Sequence, residues 1–197
     1  MNAIKPGLLV PKPLPDLVDR LITANVHAAC DTGEIEYRRI WPGEVPHPAH
    51  AADGLVPVLV DRRADPRKVM DASGILGYDE LSAFHVTGTA SQTVGLERYV
   101  AFVRLNVERL GWTPDEMRLH KHEAHVNVIE GLFLAVQYPD LLAKHGWDCI
   151  GSFAGEPNMV ASFDKRGNRT FLVARNVDRP KPHIGYATRH RYFAPIF

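Results

Sequence analysis

Between residues 16 and 32 the apolar positions Leu17, Leu21, Ile22, Ala24 and Ala28 return every three or four residues, the spacing of one helix face. Asp16, following Pro15, opens this helix and Gly33 stops it. From Glu34 to Ile40 the period drops to two, with Ile35, Tyr37 and Arg39 on one side, and predicts a strand. Leu55 to Val60 is a short apolar run that ends in a charged turn and reads as another strand. Pro66 starts a short helix through Met70, and Asp79 to Phe84 is a second short helical stretch.

The centre of the chain returns to helical spacing. Val94, Tyr99, Val100, Val103, Val107 and Leu110 predict a helix over 92–110, with Gly111 as its stop. Thr113, Pro114 and Glu116 then form a capping box with proline at the first helical position. A second helix follows, burying Leu119, His122, Val126, Ile129, Phe133 and Val136 and turning Glu116, His120, Glu123, Asn127 and Glu130 the other way. The short link makes the two helices an antiparallel pair. A rival pattern runs through 120–128, where His120, His122, Ala124, Val126 and Val128 alternate as in a strand. The capping box and the length of the pattern favour the helix. Pro139 kinks or ends it.

The remainder is β-like. Met159 to Phe163 and Thr170 to Val173 flank Gly167-Asn168, good hairpin chemistry, and the aromatic tail 184–197 returns to the sheet. Prolines at 6, 11, 13 and 15 make residues 1–15 an extended arm, suited to lying across the body or a partner subunit. The sum is an α+β fold: an antiparallel helix pair on a small antiparallel sheet, one domain over 16–197.

Composition narrows the function classes. A chain of 197 residues suits one domain, and 45% hydrophobic with 23% charged residues is ordinary for a globular protein. The formal net charge is zero, so overall charge gives no pull toward nucleic acid or an anionic membrane, and neither is expected as a partner. The two cysteines, Cys30 and Cys149, make neither a disulfide framework nor a cysteine zinc site. With no signal-peptide pattern and no apolar run of membrane-spanning length, a cytoplasmic protein with reduced thiols is expected. Phosphate-loop, dinucleotide-loop, nucleophile-elbow and Cys-x-x-Cys motifs do not occur.

The densest chemistry is His120-Lys121-His122-Glu123-Ala124-His125. Imidazole is the commonest metal ligand and titrates near neutrality. On a helix His122 and His125 share one side; on a strand His120 and His122 point together. His-Glu-Ala-His is one residue short of the metalloprotease signature. His85, in a His-Val-Thr-Gly-Thr run, suits an anion at a helix N-terminus, or is a strand end before a Ser91 or Thr93 cap. His47 and His50 sit in a long proline-rich loop over 41–54. From residue 151 on, eight Lys or Arg face three acids, with aromatics between them.

The first expectation is therefore a small enzyme, a hydrolase or lyase acting on an anionic organic molecule. His120, His122 and His125 would hold a divalent metal: zinc, iron or manganese. Glu123, Glu130 or His125 would serve as acid or base, and Arg189, Arg191 and His85 would bind the substrate's charge. The alternatives are an interaction or assembly protein, homo-oligomeric through its arm, and a regulator that binds a small ligand. The residues match no family signature.

Overall fold

A computed structural model describes residues 13–45, 48, 54–77, 84–86, 93, 95–106, 124–142, 145–154, 159–176, 178, 179 and 184–196. In chain order the elements are α1 (Leu14–Thr23), α2 (Val26–Ala29), α3 (Glu34–Arg39), β1 (Val56–Asp61), α4 (Pro66–Ala72), β2 (Ile75–Gly77), β3 (Phe84–Val86) and β4 (Arg98–Asn106). Then come β5 (Ala124–His125), α5 (Val128–Gln137), α6 (Pro139–Leu142), β6 (Gly146–Ala154), β7 (Met159–Arg166), β8 (Arg169–Asn176) and β9 (Ile184–Pro195). The strands form one nine-stranded sheet in the order β1-β4-β9-β6-β7-β8-β2, with β3 on β6 and β5 on β9. The β6–β9 and β2–β8 pairs are parallel, and the other pairs are antiparallel.

This overturns the expected helix pair on a small antiparallel sheet. The first expected helix is instead strand β4. Tyr99, Val100, Ala101, Phe102 and Val103 are buried one after another, because β4 lies between β1 and β9 with both faces covered. A strand buried on both faces gives a continuous apolar run, whose period does not separate it from a helix. The second expected helix survives only from Val128 onward. Residues 107–123, with its predicted start, lie outside the described residues.

The segment 34–40 is corrected in the opposite sense, from strand to helix α3. Only Tyr37 of its alternating residues is buried, while Ile35 is 69% exposed. Acidic Glu34 and Glu36 open the helix and basic Arg38 and Arg39 close it, matching the helix dipole. Arg38 pairs with Glu34 one turn earlier and with Asp19 of α1. Phe84, expected at a helix end, is in β3. Of the expected arm, residues 1–12 lie outside the described set, and α1 begins at Leu14.

Other readings hold. β1 follows its apolar run, and α4 starts at Pro66 behind the Asp65 cap, whose side chain accepts from Arg67 N. The β7–β8 hairpin turns at Gly167-Asn168, with Gly167 at φ +61° where a side chain would be strained. The tail forms β9, in the middle of the sheet. No helix among the described residues is long and apolar enough to cross a membrane.

The main core lies on the sheet face covered by α5 and α1. Leu132, Phe133 and Val136 of α5 meet a sheet surface that includes Val103, Trp147, Cys149, Phe163 and Ala187. Gly131 is where α5 comes closest: a Cβ there would stand 2.3 Å from Cys149 Sγ and 2.9 Å from Phe163. At the far end of α5, the Gln137 side chain accepts from Leu59 N (2.9 Å) and donates to Leu59 O (2.9 Å). It thus binds the outer edge of β1 as a neighbouring strand would. Tyr138 donates to Pro57 O along the same edge, where a proline's missing N–H costs no ladder bond.

Candidate functional site

β9 and β6 start as parallel neighbours, with Trp147 beside Gly185 and Asp148 beside Tyr186. Further along they diverge, and β5 enters between them. Ala124 pairs with Arg189 and His125 with Thr188, and Val126 O accepts from Gly151 N of β6. Asn127 then caps α5. Its Oδ1 accepts from Glu130 N (2.9 Å), and Glu130 Oε2 accepts from Asn127 N (3.0 Å), a reciprocal capping box. The β5–α5 junction therefore places neighbouring residues on opposite faces of the sheet.

On the helix face, Glu130 and Arg189 meet. Both side chains are fully buried, with Arg189 Nε 3.2 Å from Glu130 Oε1. The same oxygen accepts from Thr93 Oγ1 (3.2 Å) and Tyr99 OH (3.1 Å). Arg189 also donates to His190 O and stacks its guanidinium 5.7 Å from the Phe193 ring centroid. Burial pushes the Glu130 carboxyl above its usual range, with Arg189 and the hydrogen bonds pulling the other way. Each of these two groups has the other as partner, so the pair locks the α5 start to β9.

The opposite face is built differently. Residues paired in register share a face, and side chains two apart on a strand do so too. One row across it is Arg104 of β4, Thr188 of β9 and His125 of β5. The next row is Tyr186 of β9, Asp148 of β6, Ser162 of β7 and Val173 of β8. Arg175, two residues beyond Val173, reaches back to Asp148: its Nε donates to Oδ1 at 3.1 Å and a terminal nitrogen to Oδ2. Another terminal nitrogen donates to Arg179 O, and the Tyr186 phenol lies beside the same guanidinium. Asp148, Ser162, Arg175, Tyr186 and Thr188 are buried, whereas Arg104 and His125 are half-buried.

Polar groups of this density on a covered face are unusual, because burying each costs free energy unless it is partnered. Asp148 and Arg175 satisfy one another in a bidentate pair. The adjoining row adds the fixed cation Arg104, the Thr188 hydroxyl and the titratable imidazole of His125. Buried Asp164, two residues along β7 from Ser162, adds a carboxylate to the same face, with Arg166 Nε 3.5 Å away.

Of the residues expected from sequence, Glu130 and Arg189 are thus in contact, and His125 is one strand position away on the other face. Arg191 lies further along β9, exposed. His85 is on β3, paired with Phe153 of β6. His120, His122 and Glu123, like His47 and His50, lie outside the described residues. Among the described residues no group of three or more His, Cys, Asp or Glu could hold a metal ion. Sequence reasoning counted Arg175 and Tyr186 only within the basic, aromatic C-terminal part and missed Arg104, Asp148 and Ser162. For Arg104, between Val103 and Leu105, and Asp148, between Trp147 and Cys149, the signal was a single charge inside an apolar run.

No protein-family model, no curated protein and no solved structure matches the chain.

Proposed function

We propose that this chain is a small enzyme that holds an anionic organic molecule against the polar face of its sheet and acts on it by hydrolysis or elimination. The observation that carries the reading is the row Arg104–Thr188–His125. Neighbouring strands stand about 4.8 Å apart, so a molecule lying over Thr188 has a permanent cation on one side and an imidazole on the other. Arg104 neutralises the substrate's charge, and His125 takes or gives a proton near neutral pH. Glu130 and Arg189 position the strand and helix start that carry His125 and do not touch the substrate. A divalent metal is the second component of the reading, with His120 and His122 joining His125 as ligands and the ion activating a bound water.

The test is made on protein purified without a metal-affinity tag. Metal content and thermal stability are measured with and without inorganic phosphate for wild type, Arg104→Ala and His125→Ala. Near-stoichiometric zinc, iron or manganese that falls in His125→Ala, with a phosphate-dependent rise in Tm that falls in Arg104→Ala, supports the whole reading. A phosphate effect without metal keeps the anion site with His125 as acid and base alone. Neither metal nor anion effect overturns it.

A further inference from the structure

We draw no further inference here: the strongest candidate, the cavity between α4 and the β2–β8 end of the sheet, is walled by Met70, Leu76, Phe171 and Val173 with Arg67 and Asp71 of opposite charge beside them, and nothing in the structure shows what fills it.

Discussion

Replacing Glu130 by alanine tests whether the β5–α5 junction is held as described. The carboxylate accepts from Thr93, Tyr99 and the Asn127 amide at 3.0–3.2 Å, and Arg189 Nε stands 3.2 Å from it as an ion pair. Alanine leaves those donors facing one another and leaves the Arg189 charge, fully buried, without its carboxylate. Breaking a buried pair from one side costs about 3–5 kcal/mol, and losing half of the capping box adds about 1 kcal/mol. For a domain of this size each kcal/mol lowers Tm by about 2–4 °C, which gives a fall of roughly 10–20 °C in a calorimetric scan. The companion measurement is a double-mutant cycle with Arg189→Met and Glu130→Leu. Removing both charges leaves no uncompensated ion, so the double variant is expected to recover about 2 kcal/mol or more relative to the sum of the singles. A Glu130→Ala protein within about 1 kcal/mol of wild type, or a cycle additive to within about 0.5 kcal/mol, would refute the reasoning.

Three further outcomes follow from described contacts. Gly131→Ala forces a methyl into Cys149 Sγ and Phe163 and should cost more than about 1–3 kcal/mol in urea unfolding, with Cys149→Ala restoring part of the loss; no rescue would mean that the close approach is not where stated. The raised carboxyl of Glu130 keeps a proton in the folded protein that the unfolded chain gives up above its ordinary value of 4.5. Wild type should therefore gain stability over Glu130→Gln as pH falls through the raised value toward about 4.5, and lose that advantage as pH rises; a Tm difference of opposite slope would count against it. The half-buried Cys30 thiol, pushed up to about 12 by burial and then by Asp61, should react with iodoacetamide at pH 8 about a thousandfold more slowly than a free thiol, as followed by mass spectrometry; labelling at the free-thiol rate would remove the burial argument.

The parts of this fold that could be read from sequence carry their own punctuation. The Asp65-Pro66 start of α4 and the Gly167-Asn168 turn of the β7–β8 hairpin are set by residues within a few positions, and both lie where expected. β4 is set by what lies to either side of it. Its consecutive apolar residues, Tyr99 to Val103, mean burial on both faces, and no local feature of them says that the strand runs between β1 and β9. The start of α5 was legible: Asn127 followed by Glu130 is a capping box, but the Thr113–Glu116 box drew the helix start fourteen residues too early. Glu130 and Arg189 each looked like chemistry. Their meeting, 59 residues apart, depends on β5 pairing with β9 and has no trace in either neighbourhood. The polar face was illegible for the same reason, since Arg104, Asp148 and Arg175 share it only through register.

The central position of β9 has a consequence for the order of events on the ribosome. β1 and β4 can pair as soon as both have emerged, and β6, β7 and β8 can form their own meander. Among the described strands, only β9 bonds to both groups, and it follows them all in synthesis. Until it arrives, two partial sheets each present an unpaired inner edge, the type of surface that recruits the wrong strand. Until β9 has been made, the two partial sheets share no strand hydrogen bond among the described residues, and closing the sheet is a late step with long loops to close, slow by topology.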